Sequence, residues 1–172
     1  MTPGSVYSRT MFDALKRLLE RESHTAAASP HDASSTGRDH DLRVATAALL
    51  FEVVRADGTV DDAERTVLRA AVQSTFDLTP QDLAELLRVA EEASAHAASL
   101  YEFTQVVRAA SSTVERKRIV ELLWLVAFAD ARKDPLEEHT IRKIASLLDV
   151  SHPDFIDAKL RARSADPRAP GS

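Results

Sequence analysis

The sequence contains no cysteine and has few glycines and aromatic residues. The lack of cysteine excludes disulfide bonds, thiolate zinc sites and thiol nucleophiles, and it suits a reducing compartment such as the cytosol. The longest mainly apolar stretches, 44–54 and 119–129, are each about eleven residues long. A membrane-spanning helix needs roughly twenty such residues, so no transmembrane segment is predicted. The start of the chain has no apolar core, so no signal peptide is predicted either.

Residues that favour helices dominate the composition. Alanine and leucine are abundant, whereas glycine occurs four times and aromatic residues make up 5% of the chain. No segment alternates apolar and polar residues over the length of a strand, so an all-α protein is predicted. A chain of 172 residues, 44% of them hydrophobic, is long enough for one globular domain with tails. The net charge of −5 gives no overall attraction to nucleic acid or to an anionic membrane.

Residues 1–40 are predicted to form a leader, a short amphipathic helix and a flexible linker. The leader has no periodicity, and either Met1 or Met11 could be the true start. In residues 11–22 apolar side chains recur three and four positions apart with charges opposite, which indicates a short amphipathic helix. Its apolar face is a candidate partner-binding surface, and a protein is favoured over a membrane because the polar face mixes charge signs. This face consists of Phe12, Leu15, Leu18 and Leu19.

The linker, residues 23–40, is rich in alanine, serine, threonine and histidine. Its three histidines, His24, His31 and His40, are irregularly spaced and offer no preset metal geometry. A solvated linker is therefore the favoured interpretation.

Residues 41–162 are predicted to form a compact helical domain, followed by a disordered tail at 163–172. A capping side chain, often followed by proline or an acidic residue, marks the start of each of seven helices. The capping residues are Asp41, Asp61, Thr79, Ser99, Ser112, Asp134 and Ser151. Short turns between the helices predict a bundle of antiparallel neighbours. The helix that contains residues 122–128 is apolar on most sides and is expected to be central.

The domain contains an internal repeat. Residues 49–69 align without a gap with residues 122–142, so that a helix, an acidic turn and a second helix occur twice. The sequence therefore predicts a bundle of two similar helix-turn-helix halves.

The two acidic turns allow two interpretations. In the first, Asp61 and Asp134 cap helices and a glutamate three residues later completes each capping box. In the second, the turns approach each other and their carboxylates bind a divalent cation, with His139 as an added ligand. Capping alone is the favoured interpretation, and no cofactor is required by it. The candidate metal ligands are Asp57, Asp61, Glu64, Asp130, Asp134, Glu137 and His139.

An enzyme is not predicted. The sequence has no catalytic triad at a recognised spacing, no phosphate-binding glycine loop and no zinc-protease motif. The basic stretch 116–118 is interpreted as a solvated face, because a nucleic-acid surface would need a larger patch with aromatic residues.

The acidic turns and their flanking helices, residues 55–64 and 128–145, together with residues 100–104, resemble the TerB family of tellurite-resistance proteins. This fold is also similar to the N-terminal region of some membrane-anchored DnaJ-type co-chaperones. The resemblance covers residues 42–159. The second turn departs from the family pattern, since Ala131 and Lys133 replace a glycine and an apolar residue, and the added cation weakens the case for metal there.

The resemblance implies a non-enzymatic binding or scaffold module in tellurite or general stress response. It implies protein partners, some of them membrane-bound, and a cytoplasmic location at the inner face of the membrane. A divalent-metal sensor is the alternative, and a homodimer is left open.

Overall fold

Capping side chains, prolines and apolar stripes divide the chain into helices. The computed structural model describes residues 30–58, 60–129 and 135–165, with side chains from Thr36 onward. These residues form seven helices and no strand, which confirms the all-α prediction. The helices are α1 (Pro30–Val54), α2 (Asp62–Phe76), α3 (Pro80–His96), α4 (Leu100–Ala110), α5 (Thr113–Ala127), α6 (Pro135–Leu147) and α7 (His152–Ala165). The predicted N-terminal amphipathic helix and most of the predicted tail lie outside the described residues.

Helix α1 begins earlier than predicted. It starts at Pro30, so Asp41 lies inside the helix and the prediction that Asp41 caps it is wrong. Part of the segment assigned to the linker, 30–40, is therefore helical. The pattern Ser-Pro-x-Asp at residues 29–32 is the same type of start signal as Thr-Pro-x-Asp at 79–82, because proline is favoured in the first turn of a helix. The described residues divide into two units between Asp41 and Leu42.

Most of the other predicted starts are confirmed. Thr79 accepts a hydrogen bond from the Asp82 amide at the start of α3, at 3.2 Å. Ser112 and Glu115 form a complete capping box at the start of α5. Ser99 precedes α4 as predicted but makes no side-chain capping bond.

The burial pattern confirms the repeat. Residues at equivalent positions of α1 and α5, and of α2 and α6, are buried together. The pairs are Leu50 with Leu123, Val53 with Val126, Glu64 with Glu137, and Leu68 with Ile141.

The structure extends the repeat to a third helix. With a shift of one residue after α6, α3 aligns with α7, and their buried positions coincide: Leu83 with Phe155, Leu86 with Ala158, and Ala90 with Ala162. The bundle from Leu42 onward therefore contains two three-helix repeats, α1–α3 and α5–α7, joined by α4.

Helices α2 and α6 also end in the same way. The amides of Leu78 and Val150 donate to carbonyls five residues earlier, at 3.2 and 2.9 Å. In both turns the preceding residue is an aspartate in the left-handed region, Asp77 with φ 50° and Asp149 with φ 55°. This is the hydrogen-bond pattern of the Schellman motif, in which glycine is the usual residue.

Helix α5 is central, as predicted, because α2, α6 and α7 all pack against it. Its residues Val120, Leu123 and Val126 are fully buried and Trp124 is 2% exposed. Among the residues described, no helix is long and apolar enough to cross a membrane.

Candidate functional site

The first acidic turn connects α1 to α2. After Val54 the chain turns through hydrogen bonds from the Ala56 amide to the Val53 carbonyl and from the Gly58 amide to the Arg55 carbonyl, both at 3.0 Å. Gly58 has φ +84°, a conformation that residues with a side chain rarely adopt. Asp57 beside it is exposed.

Asp61 and Glu64 act on the start of α2. The Ala63 amide donates to Asp61 Oδ1 at 2.7 Å, and the Asp61 amide donates to Glu64 Oε2 at 2.8 Å. The two side chains form a reciprocal capping box. Two of the candidate metal ligands therefore satisfy backbone amides that have no partner within the helix.

The second acidic turn has the same local features where it is described. The Ala129 amide donates to the Val126 carbonyl at 3.0 Å, as Ala56 does to Val53 in the first turn. Glu137 is the third residue of α6, as Glu64 is of α2, and both are 3% exposed. Asp130 and Asp134 lie outside the described residues.

The structure places the other candidate ligand on a different face. His139 is exposed, whereas Glu137, two residues before it, is buried. Within 30–58, 60–129 and 135–165 there is no group of three or more His, Cys, Asp or Glu side chains that could hold a metal ion. The predicted partner-binding residues Phe12, Leu15, Leu18 and Leu19 are outside these ranges.

A charged and aromatic cluster within the second repeat was not predicted from the sequence. Lys159 of α7 donates to Glu138 of α6 at 2.9 Å, and its Nζ lies 4.4 Å from the centre of the Trp124 ring. Arg142 also binds Glu138, at 3.0 Å, and lies over the ring of Phe155. The cluster connects the three helices of the repeat. Only the Glu138–Arg142 pair, one helical turn apart, has a sequence signal.

These contacts change the acidity of Glu138. The hydrogen bond from Lys159 is the largest cause that lowers its pKa, and Arg142 adds to the effect, while partial burial opposes it. Glu138 is therefore ionised near neutral pH and acts as the shared anion of two cations.

The basic stretch 116–118 is mostly paired within the molecule. Arg116 donates to the Leu148 carbonyl at the end of α6 at 2.9 Å, and Lys117 binds Asp154 at 2.7 Å. Arg116 and Lys117 are thus joined to neighbouring helices, and only Arg118 resembles the solvated face that the sequence predicts.

Comparison with known proteins identifies the family of the chain. A family model described as "Tellurite resistance protein TerB" matches residues 43–160, most of the chain and almost the segment expected from the sequence resemblance. A search of curated proteins and a search of solved structures each gave no significant match.

Proposed function

Because the chain belongs to the TerB family, we propose that it is a non-enzymatic binding or scaffold module in tellurite or general stress response. The family match supports the link to tellurite resistance, and the capping box at Asp61 and Glu64, with bonds of 2.7 and 2.8 Å, supports the non-enzymatic part of the proposal. Acids that are engaged with backbone amides stabilise a helix start, and they are not arranged as a catalytic acid and base.

The proposed partners are proteins, some of them bound to the inner face of the cytoplasmic membrane. The candidate contact is the apolar face of the amphipathic segment 11–22, which has the spacing of a helix that lies in a partner's groove. The helical domain would then hold this segment near its partner.

Affinity capture from a lysate of the source cells tests this contact. One variant replaces Phe12, Leu15, Leu18 and Leu19 by alanine, and a matched control replaces Lys16, Arg17 and Glu20 on the polar face. We expect the first variant to lose partners that the wild type and the control retain, with thermal unfolding of the domain nearly unchanged. Equal capture by all three proteins would place the contact on the bundle.

The link to stress is tested by deleting the gene in its own host. Growth in tellurite should fall and should recover with the wild-type gene but not with the variant of the apolar face. Unchanged growth in tellurite and under oxidative stress would remove the proposed link.

A divalent-cation sensor is the second candidate. It is favoured by Glu64 and Glu137, two carboxylates that are 3% exposed at equivalent positions of the repeat, because buried carboxylates are usually paired or coordinate metals. Asp57, Asp61, Asp130 and Asp134 would complete the site, whereas His139 lies on a different face of α6 from Glu137. Calorimetric titration of chelator-treated protein with calcium, magnesium, zinc or manganese tests it, with Asp57→Asn/Asp130→Asn as the control. Heat that the double variant lacks would favour this candidate over the first.

A further inference from the structure

Helix α7 has an apolar stripe on the side that faces away from the bundle. The helix buries Phe155, Ala158 and Ala162. On the opposite side Pro153, Ile156 and Leu160 follow one another at spacings of three and four residues, which places them in one row. Ile156 is 37% exposed and Leu160 is 57% exposed. We call these three residues the α7 stripe.

The repeat provides an internal comparison for the α7 stripe. The equivalent residues of α3 are Gln81, Ala84 and Arg88, and all three are exposed. This row is polar or small, as expected for a helix face in contact with water. The outer position of the third helix therefore does not itself require large apolar side chains, and the α7 stripe needs another explanation.

The charges beside the two rows differ as well. In α3, Arg88 binds Glu85 at 2.7 Å and Glu92 at 3.3 Å, so the charges are paired within the helix. In α7, Asp157 corresponds to Glu85, but Leu160 replaces the arginine. Asp157 forms no ion pair with any residue that the structure describes.

A positive charge lies one turn further along the same flank. Arg161 follows Asp157 by four residues, and its side chain is 56% exposed although its Nε binds Glu121 at 3.1 Å. The flank of the α7 stripe thus carries an acid near its beginning and an accessible base near its end.

We propose that the α7 stripe binds the α7 stripe of a second copy of this chain, with the two helices antiparallel about a two-fold axis. This arrangement places Ile156 of one copy opposite Leu160 of the other and Asp157 within about one turn of the other copy's Arg161. The α7 face is therefore self-complementary, as a two-fold interface requires.

The association is weak, because one helix pair covers less than the roughly 800 Å² per partner of a standard stable interface. The association therefore forms only at high local concentration. The inference rests on α7 alone and does not depend on the proposed function.

Sedimentation equilibrium of the full chain, at concentrations up to about 1 mM, tests the proposal. We expect the average mass to rise from that of the 18.9 kDa chain toward twice that value. Ile156→Lys should weaken association by about tenfold or more, because it places a charge in the buried centre of the contact. Ala84→Lys, at the equivalent position of α3, is the matched control and should leave association unchanged.

Exchange of the charges tests the antiparallel arrangement. Asp157→Arg and Arg161→Asp should each weaken association by about fivefold, and the double exchange should restore it, because the pair is then rebuilt with opposite signs. Thermal unfolding of each variant checks that the exposed substitutions leave the fold intact. A wild-type chain that stays monomeric, equal effects of Ile156→Lys and Ala84→Lys, or no recovery in the double exchange would overturn the proposal.

Discussion

At the scale of single residues, aspartate has two distinct uses at helix ends. Asp61 accepts an amide hydrogen bond at the start of α2, where its charge also suits the positive end of the helix dipole. Asp77 and Asp149 instead follow the ends of α2 and α6, and their backbones are in the left-handed region that glycine usually adopts at this position. The same residue type thus stabilises one end of a helix and strains the other.

Replacement of Asp61 by alanine removes the cap of α2. We expect Asp61→Ala to lower the free energy of unfolding by about 1 kcal/mol, the usual value of such a cap. Urea denaturation at neutral pH measures the change. Asp62→Ala is the control, because Asp62 is exposed in the same turn but is not the capping residue. Equal effects of the two substitutions would show that Asp61 acts through charge and not through the cap.

Replacement of Asp77 by glycine should stabilise the protein. The backbone at Asp77 has φ 50° and ψ 54°, which glycine adopts without the steric cost paid by other residues. We expect a gain of roughly 0.5 to 1 kcal/mol in the free energy of unfolding.

Asp149→Gly provides the contrast, since Asp149 binds Arg108 at 2.7 Å. Its backbone gain is offset by the lost ion pair, so its net effect should be smaller. Denaturation curves in which Asp149→Gly stabilises more than Asp77→Gly would contradict this explanation.

The contribution of Glu138 depends on pH. Lys159 and Arg142 hold its pKa in the folded chain below its usual value of 4.5. The ionised carboxylate therefore stabilises the fold above about pH 4.5, and this contribution disappears as the pH falls through the folded-state pKa. We expect the stability difference between wild type and Glu138→Gln to be present at pH 7 and to shrink below pH 4.5. The fluorescence of Trp124, against which Lys159 lies, reports the unfolding. A stability difference between wild type and Glu138→Gln that stays the same at all pH values would contradict the proposed role of the ionised carboxylate.

At the scale of helices, we expect equivalent buried residues of the two repeats to contribute similarly to the free energy of unfolding. Leu68 of α2 and Ile141 of α6 are equivalent and are 1% and 0% exposed. We expect Leu68→Ala and Ile141→Ala each to cost about 2 to 5 kcal/mol, because each leaves a cavity in a buried core. Lys143→Ala on the exposed face of α6 should have almost no effect. Urea denaturation that shows a large cost at only one of the two core sites would indicate that the halves are not energetically equivalent.

Local sequence signals are sufficient to predict some helix boundaries but not others. The starts at Asp61, Thr79 and Ser112 were predictable, because a cap is a short-range interaction between neighbouring residues. The start of α1 is not predicted, because residues 30–40 carry serine, threonine and glycine and no apolar periodicity, which is typical of a linker despite the proline at position 30. The end of α7 at Ala165 was also placed too early, since no strong stop residue marks it.

The candidate site was predictable only in part. Each acidic turn has a clear sequence signal, and the sequence predicted the capping box of Asp61 and Glu64 in full. The cluster of Glu138, Lys159 and Trp124 was not predictable, because its members come from three helices and their contact depends on helix packing. The third helix of the repeat was missed for a related reason: α3 and α7 share buried positions and caps but few identical residues.

At the scale of the whole molecule, the central question is whether the acidic turns act without a metal. The first turn caps α2 through Asp61 and Glu64, and we predict that both turns stabilise helix starts in this TerB-family bundle without a bound cation. A cation that bound only the folded chain would raise its stability in proportion to the logarithm of cation concentration above the Kd. Stability with and without added cations therefore distinguishes a binding module from a metal sensor.

The most direct test is urea denaturation of chelator-treated protein with and without calcium, magnesium, zinc or manganese. Each cation is added at a concentration about ten times a Kd in the millimolar range. We predict the same unfolding midpoint in every case, both for the wild type and for Asp57→Asn/Asp130→Asn. A midpoint that rises with one cation in the wild type, and fails to rise in the double variant, would contradict the account and make the acidic turns a metal site.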